Sequence, residues 1–255
     1  MTGKVYLVGA GPGDPELLTL KARRLLSEAD VVLHDDLVNP KILQFASPSA
    51  NVQSVGKRCG RPSVSQEEIH SRMVAYALEG LQVVRLQGGD PLVFGRASEE
   101  MEALREEGIE FEVVPGVTAA LGAAAMAGVS LTDRRRASTV LFVSNHRRAG
   151  QDALLDGSFI SSDTTIVVYM PGTDYRDLAA KLCAAGVLPS TPCLVVSCAT
   201  WKQQEVHSST LENLPKASVL PAPALVIVGE VARCRSSEQL RPENSDLSPL
   251  TTALK

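Results

Sequence analysis

The sequence predicts an α/β fold in two halves, the second built on a mixed sheet. Three observations carry this expectation. Apolar strand signals alternate with capped helical stretches in the first half, glycine turns stand directly after strands, and several strand candidates in the second half lack long helices between them. Strands joined without a crossover pair antiparallel, so both pairings are expected there.

Val5-Tyr-Leu-Val8 is the first strand, and Gly9-Ala-Gly-Pro-Gly-Asp-Pro15 follows it. The loop fails as a dinucleotide fingerprint. Its third glycine comes one residue early, Asp14 takes that place, and Pro12 removes an amide donor. Asp14 as N-cap and Pro15 at N1 predict a helix over roughly 16–28. Val31-Val-Leu33 is a second strand, ending at His34-Asp35-Asp36. Ser65-Gln-Glu-Glu68 is a capping box, after which Ile69, Met73 and Ala77 share a helical face up to Gly80.

Val83-Val-Arg-Leu86 is a strand running into Gly88-Gly-Asp-Pro91. These two glycine turns, each bearing an acid, suit a ligand with hydroxyls and positive charge better than one with phosphates. A helix over about 99–107 ends at Gly108, and Ile109, Phe111 and Val113 then alternate as a strand closing at Pro115-Gly116. Val117 to Gly128 is nearly all small residues, which suits a helix that a sheet or a ligand approaches closely.

A second half starts near Leu131, with strand candidates at Thr139–Ser144, Thr165–Met170, Cys193–Cys198 and Ala224–Gly229 and a helix over about 174–185. The expected domains are 1–128 and 129–235, with 236–255 a polar, proline-containing tail.

At 255 residues with 44% hydrophobic and 21% charged side chains, the chain is long enough for a substantial core. A net charge of −4 argues against nucleic acid or an anionic membrane as partner, and 4% aromatic residues argue against stacking platforms. Five cysteines without a C-x-x-C pair read as small core residues in a reducing compartment, and neither disulfides nor a metal site is expected. The start runs directly into a strand, and no apolar stretch reaches about 18 residues. A cytoplasmic protein is expected.

The motifs in order are Val8-Gly-Ala-Gly-Pro-Gly-Asp14, Leu18-Thr-Leu20, Ala29-Asp-Val-Val32, Val55-Gly-Lys-Arg58 with Gln66-Glu-Glu68, Gly88-Gly-Asp-Pro91 with Phe94-Gly-Arg96, Val114-Pro-Gly-Val-Thr118 and Leu131-Thr132. With this spacing the chain resembles the tetrapyrrole methylases over about residues 3–235. The Gly-Lys-Arg and Gln-Glu-Glu pair favours the branch that acts on uroporphyrinogen III over relatives acting on precorrins. The resemblance implies two α/β domains with a ligand cleft between them, a homodimer, and S-adenosylmethionine as methyl donor, leaving S-adenosylhomocysteine. The implied reaction is methylation of uroporphyrinogen III at two carbons to give precorrin-2, on the route to sirohaem or cobalamin-type products. Carried over by position, the cofactor residues are Pro12, Gly88, Gly89, Asp90, Val93, Thr118, Ala119, Met170 and Ala199. The family pattern usually has Lys and Phe where this chain has Gln87 and Leu92, two glycines at Ala97 and Ser98, His at Asp133, and glycine at Ala199.

Methyl transfer from a sulfonium is accelerated mainly by positioning and needs no metal. Asp90 suits ribose hydroxyls or an amino group, with helix capping as the structural alternative. A substrate with several carboxylates calls for arginines at the cleft, and Arg58, Arg96 and Arg134 are the substrate candidates, with Glu99 placed to orient Arg96 or to accept a pyrrole N–H. Arg96 is also assigned to the reacting centre. Asp35 at a strand end is the candidate proton acceptor, and Lys57 resembles the family's proposed proton donor. Two other classes remain open. Gly9-Ala-Gly11 with Asp35 some twenty residues on suggests an NAD-dependent oxidoreductase that lacks the third glycine, and the departures allow a cofactor-binding protein without catalysis. Within the class, the alternative is a methylase of a later precorrin intermediate.

Overall fold

The computed structural model describes residues 2–56, 64–146 and 160–234. The first sheet holds β1 (Val5–Gly9), β2 (Val31–His34), β3 (Asn51–Ser54), β4 (Val83–Gln87) and β5 (Phe111–Val114), ordered β3-β2-β4-β1-β5. Every pairing in it is parallel. Val8 of β1 packs with α1 (Leu20–Glu28) and α2 (Pro40–Leu43) through Leu25, Leu26 and Ile42. Val5 and Leu7 face α3 (Gln66–Leu78) and α4 (Ala97–Glu106) through Ile69, Met73 and Leu104. Helices on both faces explain why β4 is buried at all five positions.

The second sheet comprises β6 (Thr139–Ser144), β7 (Thr164–Tyr169), β8 (Pro192–Ser197), β9 (Glu205–Thr210) and β10 (Ala224–Val228), ordered β6-β7-β10-β8-β9. β6 and β7 are parallel and the other pairs antiparallel, so the sheet is mixed as the sequence predicts. α6 (Tyr175–Ala184) packs on one face through Leu178 and Leu182. The alanine-rich α5 (Ala119–Ala127) packs on the other, with Ala120, Ala123, Ala124 and Ala127 against Val167, Leu194 and Ile227. By packing, α5 sides with the second sheet although it leaves β5 of the first. Residues 236–255, expected as a tail, lie outside the described residues.

Several local expectations need correction. The helix predicted over 16–28 is two pieces: Asp14 caps a 3-10 turn, Pro15–Leu17, while Leu18 and Thr19 are extended and Thr19 caps α1. A second hydroxyl cap restarts the helix where the first run stops. β3 and β9 escaped the sequence reading because Asn-Val-Gln-Ser and Glu-Val-His-Ser-Ser-Thr are polar edge strands without an apolar face. α2 is a single turn, too short to show a period.

Three turns meet where the parallel strands end. A Cβ on Gly9 would lie 2.6 Å from the Gly116 nitrogen and the Gly89 oxygen, and one on Gly116 would lie 2.3 Å from the Gly89 oxygen. Gly11 and Gly89 also bond reciprocally, N to O, at 3.1 and 2.7 Å. Gly116→Ala therefore drives a methyl into backbone, whereas Gly108→Ala meets nothing within 4 Å and bears only its φ of +65°. Urea unfolding should show a loss of about 1–2 kcal/mol for Gly108→Ala. The loss for Gly116→Ala should be larger, toward the about 3 kcal/mol of overpacked sites. Equal midpoints would show that the turn contact is slack.

Candidate active site

A cavity of about 210 Å³ opens where these turns face the second sheet. Gly11, Pro12, Asp35, Gln87, Gly88, Gly89, Asp90, Val93 and Phe94 line it from the first sheet's loops, and Thr118 and Ala119 line it at the start of α5. Tyr169, Met170, Val196, Ala199, Pro223 and Leu225 close it from the second. The site thus lies beyond the carboxyl ends of parallel strands, where open α/β sheets bind ligands. All nine residues carried over as cofactor contacts face this one cavity, as does Asp35.

The two sides are tied together. The Asp14 N–H donates to Thr200 Oγ1 at 2.9 Å, and Trp201 Nε1 donates to the Pro12 carbonyl at 3.0 Å. Gly122 of α5 admits Pro12, since a Cβ there would lie 2.7 Å from the proline Cγ. Tyr169 is a third tie. Its hydroxyl bonds Thr118 Oγ1 at 2.6 Å and accepts from the Ala120 N–H at 3.1 Å, while its ring meets Phe94 at 4.9 Å and Phe142 at 5.8 Å. Burial raises the Tyr169 phenol above its usual range despite those bonds, so it stays neutral.

Backbone strain collects at the same place. The non-glycine residues with positive φ are Phe94, Arg96, Met170, Cys198 and Thr200. Phe94 and Met170 line the cavity, Cys198 and Thr200 flank Ala199, and Arg96 follows Gly95. Such conformations cost about 1–3 kcal/mol each and persist where the surroundings over-determine them.

Asp90 Oδ1 accepts from the Leu92 N–H at 2.8 Å, and Oδ2 accepts from the Gly116 N–H at 2.9 Å. The carboxylate therefore staples two of the three turns while lining the cavity. Arg96 places Nε and Nη2 on the Glu99 carboxylate at 2.9 and 2.6 Å, a two-point pair absent from the cavity lining. Glu99 and neighbouring acids raise the Arg96 guanidinium further. Arg134 is exposed, and Lys57 and Arg58 lie outside the described residues.

Sequence reading missed the cluster beneath Asp35. Arg85 Nη2 sits 2.6 Å from Asp35 Oδ1, and its Nε donates to Glu100 Oε1 at 2.9 Å. Gln87 Nε2 donates to Glu100 Oε2 at 3.1 Å and to the Gly95 carbonyl at 3.0 Å, while Gln66 Nε2 reaches Glu100 at 3.2 Å. Burial pushes the Glu100 carboxyl up, against the pull of Arg85. For Arg85, burial works against the charge, but Asp35 and Glu100 outweigh it and hold the cation. Gln87 Oε1 is buried without a partner, although the residue is only 2% exposed and lines the cavity. Its two acceptor neighbours fix the amide orientation, so the oxygen is left buried as an unmet acceptor. A cue was available in the alternation of Val83-Val-Arg-Leu-Gln87, which puts Arg and Gln on one face of a buried strand.

Comparison with known proteins decides the family. A family model described as Tetrapyrrole (Corrin/Porphyrin) Methylases matches residues 4–215. The chain belongs to the tetrapyrrole methylases. It is 46% identical over 237 residues to siroheme synthase from Pseudomonas aeruginosa strain LESB58, covering 92% of this chain and 51% of that protein. The chain thus spans about half the length of the curated relatives it matches. The crystal structure of uroporphyrin-III C-methyl transferase from Thermus thermophilus complexed with S-adenosyl homocysteine superposes at TM-score 0.77. Identity there is 43%, covering 91% of this chain and 99% of that one. A cobalt precorrin-4 methyltransferase matches with TM-score 0.77 at 31% identity, over 90% of this chain and 95% of its own. Among the described residues no helix is long and apolar enough to cross a membrane.

Glu100 generates a pH prediction. Its raised pKa means the folded state holds a proton more tightly than the unfolded chain, where glutamate titrates near about 4.3. Stability from this group is complete below that pH and is lost as pH rises through the folded value. Glu100→Gln removes the term, so its thermal midpoint should gain on the parent as pH rises above the ordinary glutamate value of about 4.3. A pH-independent difference would contradict the assignment.

Proposed function

We propose that the chain transfers two methyl groups from S-adenosylmethionine to carbons of uroporphyrinogen III, giving precorrin-2 by way of precorrin-1. The observation that carries this reading is the cavity's charge. Asp35 and Asp90 line it, and no Lys, Arg or His stands among its described lining residues. Dinucleotide phosphates would face carboxylates with no compensating cation, which disfavours the NAD-dependent reading. A ligand bearing a sulfonium, an ammonium and N–H donors meets complementary groups. Membership of the tetrapyrrole methylases and the Thermus thermophilus complex with S-adenosyl homocysteine support the choice.

When bound, S-adenosylmethionine supplies an electrophilic methyl group. Gly88 and Gly89 bring backbone against it, and Pro12, Val93, Thr118, Ala119, Met170 and Ala199 form the rest of its cradle. Leu37, Phe94 and Leu225 add apolar wall, which excludes water and strengthens the electrostatic contacts inside. Asp35 accepts the proton the pyrrole must lose once its carbon has gained the methyl group. Arg58, Arg96 and Arg134 are the cations assigned to the substrate carboxylates, with Glu99 orienting the Arg96 fork. The protein acts as a cytoplasmic homodimer serving sirohaem or cobalamin-type synthesis, and light scattering should give about twice the 27.1 kDa chain mass.

One observation favours a second reading. The match to the cobalt precorrin-4 methyltransferase has the same TM-score as the match to the Thermus thermophilus enzyme, so the fold alone suits a later corrinoid substrate as well. Incubation with labelled S-adenosylmethionine and uroporphyrinogen III, with mass analysis, separates the two. Products heavier by one and two methyl groups are expected, and transfer only to a precorrin would overturn the first reading. Asp90→Ala should weaken S-adenosylhomocysteine binding by about 1–3 kcal/mol in calorimetry, because two backbone amides of the cradle lose their acceptor. Unchanged affinity would remove Asp90 from the binding site.

A further inference from the structure

Arg85, 3% exposed, and Glu100, 0% exposed, are the buried charged side chains among the described residues, and the mechanism above gives neither a role. Burying a guanidinium and a carboxylate is costly, and well-packed apolar residues often serve stability equally well. The arrangement around them is directional. Arg85 Nε is held by Glu100, Nη1 points at the Leu86 carbonyl at 3.3 Å and at the Leu33 carbonyl at 3.5 Å, and Nη2 meets Asp35. Glu100 is gripped in turn by Gln66 from α3 and Gln87 from β4. Asp35 is the member of this cluster that is 30% exposed at its side chain and lines the cavity as a carboxylate. With Oδ1 taken by Arg85, Oδ2 is the oxygen available to a ligand.

We propose that Arg85 is a positioning residue for the transfer reaction: clamped by Glu100, it aims the Asp35 carboxylate into the cavity. This assignment rests on the methyl-transfer reading. The proton that Asp35 receives leaves a ring N–H, whose electron pair returns to the ring once the carbon has gained its methyl group. A carboxylate on a strand end has two free torsions, and a fork fixed at three nitrogens removes that freedom before the substrate arrives. Arg85 is covered by protein and does not line the cavity. Its effect on rate passes through Asp35 alone.

That dependence is the test. Arg85→Lys keeps the charge but not the fork, so kcat should fall by about tenfold or more, while KM for S-adenosylmethionine and affinity for S-adenosylhomocysteine stay within about twofold. In single-turnover assays on the Asp35→Asn background, the same change should cost almost nothing further, because the group that Arg85 aims is already disabled. Should Arg85→Lys fail to fold, Glu100→Ala takes its place in the cycle, and Glu100→Gln should restore most of the turnover that Glu100→Ala loses. Losses that add in the double variant, or a fall confined to thermal midpoint with kcat intact, would overturn the positioning role. If the parent chain transfers no methyl group to uroporphyrinogen III or a precorrin, the functional reading fails and this assignment goes with it. Turnover in the parent with additive losses rejects the assignment alone.

Discussion

The close approach of the turns after β1, β4 and β5 is the constraint on which the rest of the molecule depends. Gly9, Gly89 and Gly116 stand so near one another that no Cβ fits at Gly9 or Gly116. Asp90 closes the arrangement by accepting the Gly116 amide. Three strand ends are thereby brought within bonding distance, and the peptide planes that line the cavity are fixed by covalent geometry rather than by flexible side chains. A binding surface built this way loses little conformational entropy when a ligand arrives. It also explains why the acid in the second turn serves the scaffold and the cavity together.

The second sheet completes what the first begins. Small residues make its contact with the first half possible: Gly122 accepts Pro12, Gly13 accepts the Trp201 ring, and the alanines of α5 let that helix lie on the sheet. Tyr169 crosses the seam with a hydroxyl bonded to the start of α5 and a ring against Phe94. Alanine-rich α5 therefore does two jobs that the sequence left as alternatives. Ala119 faces the cavity and Ala120, Ala123 and Ala127 face the sheet, so close packing and cavity lining belong to successive residues of one helix.

Much of this was legible in the chain. Strands with an apolar period, helices with hydroxyl or acidic caps, and glycine turns after strands each have a local cause, and they emerged from local reasoning. What escaped has a physical reason too. β3 and β9 are polar edge strands, specified by their neighbours rather than by their own residues. Arg85 and Glu100 sit fifteen positions apart on different elements, and their pairing exists only once α4 packs on β4. Tyr169 reads as one more apolar strand residue until β7 brings it beside Thr118, fifty-one positions away. Arg96 shows the converse limit. Its assignment to the reacting centre suggested a side chain in the cavity, whereas its guanidinium pairs with Glu99 and is absent from the cavity lining.

Charge is sorted by depth, and that sorting bears on how two unlike ligands share one site. The cavity wall is acidic, through Asp35 and Asp90, and Arg85 lies behind Asp35, where it compensates a carboxylate without lining the cavity. Cations that a polycarboxylate could meet, Arg96 and Arg134, stand outside that wall, in the ion pair with Glu99 and on the surface. The inner wall thus favours a cationic group, and the outer cations favour an anionic one. In a low-dielectric pocket such a difference is worth more than it would be in water.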